Sequence, residues 1–190
     1  VAARRSSDSV TAFVRVVNLT GHKLPTGFPE GRQMVVSVTG KDRNGRIVFE
    51  SGTYDTLSLD FLRDPGVKIY EAVGGLTPAR AALLGLTSGP SFLGALNDTV
   101  LSDNRIPPDG FTNDGFLERR CNPVASEYED GRYWDIAEYR MGAEVESVLV
   151  TLYYRTASRQ FVEFLRSENE GNSHDWNGWG EKVYEAWTRF

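Results

Sequence analysis

The sequence predicts an all-β fold: a mainly antiparallel β-sandwich, Ig-like, with one short helix between strands and two C-terminal helices. Three observations carry this prediction. Apolar residues alternate with period two in several short segments. Clusters of Gly, Pro, Asn and Asp separate those segments. Helical spacing is confined to a short stretch around Ala81 and to the chain after Ser158.

Residues 1–8 are polar and read as a linker or tail. From Val10 to Leu19, Val10, Ala12, Val14 and Val16 fall on one face and Phe13, Val17 and Leu19 on the other, which marks an interior strand. Met34 to Thr39 is β-branched and predicts a second strand. The turn Lys41-Asp-Arg-Asn-Gly45 contains an Asn-Gly step that tolerates positive φ. Ile47, Val48 and Phe49 then return, so residues 34–50 form a hairpin. Residues 51–66 are turn-rich, and Val67 to Val73 reads as a strand. A short helix follows, with Thr77 as N-cap, Pro78 at its first position and Gly85 just past its end. Between residues 87 and 131 the strand candidates are Ser91–Leu96 and Thr99–Leu101, followed by a turn over Asn104–Gly110.

Glu146 to Arg155 alternates strongly, with Val148, Val150, Leu152 and Tyr154 on one side and Leu149, Thr151 and Tyr153 on the other. Ser158 is placed to cap a helix carrying Phe161, Phe164 and Leu165. Trp179, Val183 and Trp187 line one face of a last helix over residues 176–190. The resulting organisation is a tail (1–8), a sandwich domain (9–156) and a helical extension packed on it (157–190).

A length of 190 residues suffices for one domain with a real core. A net charge of −5 with scattered basic residues argues against a nucleic-acid surface. No run approaches the roughly 20 apolar residues of a membrane-crossing helix. The single cysteine, Cys121, excludes an internal disulfide and any Cys-x-x-Cys-His attachment, so no haem is bound covalently by this chain. There is no Gly-x-Ser-x-Gly elbow, P-loop or Gly-x-Gly-x-x-Gly run, and the chain reads as a non-enzyme.

The most informative segment is Asn18-Leu-Thr-Gly-His22-Lys-Leu-Pro25-Thr-Gly27-Phe28, which holds one of the two histidines in a loop with two glycines and a proline. A loop histidine is often only a donor to a backbone carbonyl. The alternative is a ligand or cap for a metal centre, since a neutral imidazole suits haem iron and a stiffened loop holds it in place. His174, with Asp175 beside it, is the second histidine; two separate histidines do not make a zinc site. Asp55, Asp60 and Asp64 are calcium candidates, although they lack the EF-hand spacing, as do Glu127, Glu129, Asp130 and Asp135. Trp176, Trp179 and Trp187 could stack on a sugar or a porphyrin or sit in a core. Asn18 and Asn97 begin glycosylation sequons.

The run Asn18-Leu-Thr-Gly-His-Lys-Leu-Pro-Thr-Gly-Phe-Pro-Glu-Gly-Arg32, followed by Gly45-Arg-Ile-Val-Phe-Glu-Ser-Gly52, resembles the non-haem, β-rich C-terminal region of bacterial multihaem c-type cytochromes. Val67–Glu71, Asp103–Pro108, Asp130–Trp134, Leu152–Leu165 and Tyr184–Trp187 extend the likeness over most of the chain. The resemblance implies that the His22 loop faces a haem array, with His22 as a distal ligand and Pro25 and Thr26 beside it. It implies that Gly21, Lys23, Phe28 and Arg32 meet the partner. The haem-bearing region with its Cys-x-x-Cys-His motifs is absent from this sequence, so the chain is either a piece of such a cytochrome or a separate subunit. The expected role is a periplasmic or extracellular accessory domain that covers or orients haem c of a cytochrome or a larger electron-transfer complex. Two alternatives are an extracytoplasmic carbohydrate- or calcium-binding module and a hydrolase with dispersed acids.

Overall fold

Alternating apolar residues need a second apolar layer to cover them, and here two antiparallel sheets cover each other. A computed structural model describes residues 1–29, 31–169 and 177–189. Its strands are β1 (Ala2–Arg5), β2 (Ser9–Val17), β3 (Gln33–Lys41), β4 (Ile47–Ser51), β5 (Tyr54–Asp55), β6 (Asp60–Phe61), β7 (Lys68–Tyr70), β8 (Ala72–Leu76), β9 (Gly89–Pro90), β10 (Thr99–Asp103), β11 (Trp134–Gly142) and β12 (Ser147–Arg155). Its helices are α1 (Pro78–Leu84), α2 (Asn113–Glu118), α3 (Arg159–Asn169) and α4 (Trp179–Thr188).

One sheet runs β1-β2-β11, and the other runs β12-β3 with β4 and β7 sharing the far edge of β3. Val10, Ala12, Val14 and Val16 of β2 and Ala137, Tyr139 and Met141 of β11 face Met34, Val36 and Val38 of β3 and Tyr70 of β7 in one buried cluster. The register explains the match, since Val10 lies opposite Met141, Ala12 opposite Tyr139 and Val14 opposite Ala137. Small residues on one strand thus make room for a large ring on the next. Strand β3 is buried on both faces, because Val35 packs outward with Phe61 and Ile69 under the β5-β6 hairpin. A third small sheet, β10-β8-β9, carries α1.

Several expectations are met. The hairpin closes at Asp42–Gly45, where Gly45 N donates to Asp42 O at 3.0 Å. In α1, Thr77 Oγ1 accepts from Arg80 N at 3.2 Å, and Gly85 ends the helix in a left-handed conformation. Ser158 Oγ accepts from Phe161 N at the start of α3. Helices α3 and α4 pack closely because Gly180 has no side chain: a Cβ there would lie 2.6 Å from Leu165 O.

Other expectations are corrected. Residues 1–8 are not simply a tail, since Ala2–Arg5 pairs with Val10–Phe13 as an exposed edge strand. Polar side chains do not prevent this, because an edge is held by its backbone ladder. Val67 to Val73 breaks at Glu71 into β7 and β8, which join different sheets. Ser91–Leu96 is not a strand; Phe92 there packs on Phe161 and Phe164 of α3. Helix α2 and strand β11 were not expected. The last helix is described from Trp179, and the expected start at Trp176 lies outside the described residues.

Ile106 is fully buried in the main cluster and lies between the sandwich and the His22 loop. Ile106→Ala should cost about 2–5 kcal/mol in urea unfolding, with an unchanged slope. A loss below that range would show that the site collapses around the cavity.

Candidate functional site

Strand β2 delivers the chain to Asn18, which is completely buried. The Asn18 amide then organises the loop beyond it. Its Nδ2 donates to His22 O at 2.7 Å and to Ile106 O at 2.9 Å. Its Oδ1 accepts from Thr20 N at 2.8 Å and Thr20 Oγ1 at 2.7 Å, and Thr20 Oγ1 lies 2.9 Å from His22 O. The loop then pairs with the strand-like segment at Ile106: Leu24 N donates to Ile106 O and Ile106 N to Leu24 O, both at 2.9 Å. The Leu24-Pro25 peptide is cis, and Pro25 is fully buried. A glycosylation role for Asn18 is incompatible with this burial, because its nitrogen is committed to two carbonyls.

These bonds hold the backbone of His22 and leave its side chain free. His22 is exposed, and its ring makes no hydrogen bond to the described residues. The bland expectation, a ring donating to a backbone carbonyl, is not what the described residues show.

The neighbours of His22 divide into supports and surface. Arg32 Nη1 donates to Thr26 O at 2.7 Å and lies 3.3 Å from Tyr154 Oη, bracing the loop against β12. Gly27 has φ 88° and must remain glycine, since the Arg32 guanidinium fills the place of a Cβ. Lys23, expected at the partner surface, is instead 8% exposed, with its ammonium on the Asp103 carboxylate. Arg105 also holds Asp103, through Nε at 2.8 Å and Nη2 at 2.7 Å. Gly21 is exposed, and Phe28 is 57% exposed with its ring 6.2 Å from that of Phe161.

A groove of about 440 Å³ runs beside His22, lined among others by Lys23, Thr26, Arg105, Pro108, Phe116 and Cys121. Sequence reasoning missed Arg105 and Phe116. Arg105 lies in the Asp103–Pro108 segment that carries part of the resemblance, but nothing local places it 80-odd residues back against Lys23.

The calcium candidates do not converge. Asp55 accepts from Leu57 N and Ser58 N, Asp60 is paired with Arg155, and Asp64 accepts from Ser51 Oγ, Gly52 N and Gly66 N. Among the described residues, no three His, Cys, Asp or Glu side chains are grouped to hold a metal ion. His174, Asp175 and Trp176 lie outside the described residues. Trp179 is 50% exposed, and Trp187 packs near Arg155 and donates to Ala157 O.

No family model and no curated protein matches the chain. Among solved structures, the chain is similar to a penta-heme cytochrome c552 from Thermochromatium tepidum, with a TM-score of 0.50 and 18% identity over 86% of this chain. The match takes in 32% of the length of that cytochrome. At this identity the likeness concerns the fold.

Two predictions follow from the loop chemistry. Asn18→Ala removes one donor each from the His22 and Ile106 carbonyls and the acceptor of the Thr20 N–H, and should cost about 1–3 kcal/mol. Amide exchange at Thr20 and Leu24 should accelerate more than exchange in β3; equal acceleration would mean that the loop is not held separately. Asp103 is the second case. Burial raises its pKa, but the hydrogen bonds and charge of Arg105, then those of Lys23, outweigh this and hold it below 3.8. The unfolded chain therefore takes up this proton first as pH falls. The stability Asp103 contributes is complete above 3.8 and is lost as pH drops through the lower folded value. An NMR carboxyl titration should place its midpoint below 3.8; a midpoint at or above it would show that the ion pair is open.

Proposed function

We propose that this chain is a non-catalytic accessory domain of a multihaem-cytochrome electron-transfer assembly, set outside the cytoplasm. It presents His22 to a haem carried by a partner or by another part of the same polypeptide. The observation that carries this reading is the contrast at His22 between a backbone fixed by Asn18 and Thr20 and an imidazole without hydrogen bonds to the described residues. The fold likeness to part of a penta-heme cytochrome supports the choice of partner.

A haem, when bound nearby, supplies the redox-active iron. The chain supplies the rest: a ring nitrogen as a ligand, on a backbone held by Asn18 and Thr20. A fixed donor matters for electron transfer because axial ligation and solvent exposure both set the reduction potential. The Asp-rich loops give less support to a calcium-binding module, since Asp55, Asp60 and Asp64 already serve internal donors and cations.

The test is His22→Ala in the protein isolated with its native neighbours. The variant should lose the low-spin signature of one haem by electronic absorption and electron paramagnetic resonance, while the other haems keep theirs. Unchanged spectra for every haem would reject His22 as a ligand and leave a scaffold whose contact surface lies elsewhere.

A further inference from the structure

The groove next to His22 has a charge opposite to that of the chain. The whole sequence carries a net charge of −5, yet no carboxylate side chain lines this groove among the described residues. Two cations, Lys23 and Arg105, share one carboxylate, Asp103, so the cluster keeps one positive charge. Asp103 is the acidic group in contact with both, and its own exposure is 4%. The guanidinium of Arg105 has five N–H groups. Its hydrogen bonds to described residues are made by Nε and Nη2, both to Asp103, which leaves Nη1 for another acceptor. Arg119 and Arg120 immediately precede Cys121, which lines the groove, and both are exposed. Opposite this charge the wall is apolar, formed by Pro108 and by Phe116, whose ring stacks edge-on against buried Phe111 at 4.8 Å.

We infer that this groove binds the carboxylate edge of the haem that His22 ligates, with Arg105 as the main donor to a propionate and Phe116 and Pro108 against the ring's apolar margin. The inference rests on the proposed ligation by His22 and adds the recognition chemistry around it. A porphyrin with two propionates offers anionic groups and a flat apolar edge together, which is the pairing this groove presents. Arg suits the task better than Lys, because its planar fork can serve Asp103 on one side and a second carboxylate on the other. Lys23, more deeply buried, acts as a positioning residue that holds Asp103 against Arg105.

The test uses the 190-residue chain and a soluble c-type haem peptide that carries one histidine ligand and an open sixth position. The same peptide with its propionates methyl-esterified is the control. Binding is read from the Soret shift, with His22→Ala run beside each titration. The acid form should bind roughly tenfold tighter than the ester, as one charge-assisted hydrogen bond allows, and added salt should erode the difference. Arg105→Gln should abolish the preference, whereas Arg105→Lys should keep part of it. The acid-to-ester comparison on the unmodified chain needs no mutation, so it decides the matter even if Arg105→Gln fails to fold.

Equal binding of acid and ester, still lost in His22→Ala, would overturn the inference while the ligation stands. Absence of any His22-dependent shift would overturn both. Succinate alone is the remaining probe. If it shifts the amide resonances of His22 and Arg105 but acid and ester bind alike, the groove takes free carboxylates and not the propionates, which also overturns the inference.

Discussion

The loop that presents His22 depends on one buried amide. Asn18 donates to two carbonyls and accepts from two donors of Thr20, so its full side-chain hydrogen-bonding capacity is spent inside the protein. One of those carbonyls belongs to His22 and the other to Ile106, a buried member of the main core cluster. A single side chain therefore ties the loop to the packing of both sheets. Aspartate could not replace it, because a carboxylate has no N–H to give. A hydrophobic residue could fill the space but would take one donor from each of those carbonyls and the acceptor from Thr20 N.

This arrangement separates rigidity from reactivity. Ordering a loop residue costs about 1–2 kcal/mol of backbone entropy, and binding would have to supply that cost if the loop were free. Here folding has already met it, through Asn18, the Leu24–Ile106 pairing and the Arg32 brace. The only freedom left at His22 is rotation of its side chain. The Lys23–Asp103–Arg105 cluster works in the same way beneath the loop. Burial alone would disfavour each charge, and burial indeed pulls the Lys23 pKa below 10.5 despite Asp103 beside it. The cluster persists because each charge has a partner with good geometry, and it fixes the residue before Leu24 relative to β10.

How much of this could be read from the chain varies by element. Strand β2 was legible because four small or β-branched apolar residues repeat at period two, and β12 and the β3-β4 hairpin were legible for similar reasons. Strand β11 was not, although it is the direct partner of β2. Its inward residues are Asp135, Ala137, Tyr139 and Met141, a set that does not announce a core. Asp135 can face inward because Arg132, three residues before it, and the distant Lys68 and Tyr70 converge on it. Helix α2 was hidden by its own Gly115 and by a tract of Asn, Asp and Pro around it. The His22 loop was visible as a motif, but its supporting contacts were not. Arg32 and Lys23 were expected to face outward as charged surface residues, yet both turn toward the loop's own backbone or a buried acid.

The same contrast explains why a motif can survive as a recognisable string while its surroundings cannot be inferred from it. Gly27 is constrained by its positive φ, so the chain displays it as part of a pattern. Asn18 and Thr20 belong to that pattern because they bond to each other and to His22 within four residues, although Asn18 also reaches the distant Ile106. Arg105 is constrained by Asp103 two residues away, and Asp103 in turn by Lys23 eighty residues away; only the first constraint leaves a local trace. A site built from one local loop and one distant cation thus shows half of itself in the sequence. The visible half is the His22 loop. The concealed half is the groove beside it, where Lys23 and Arg105 converge on the buried Asp103.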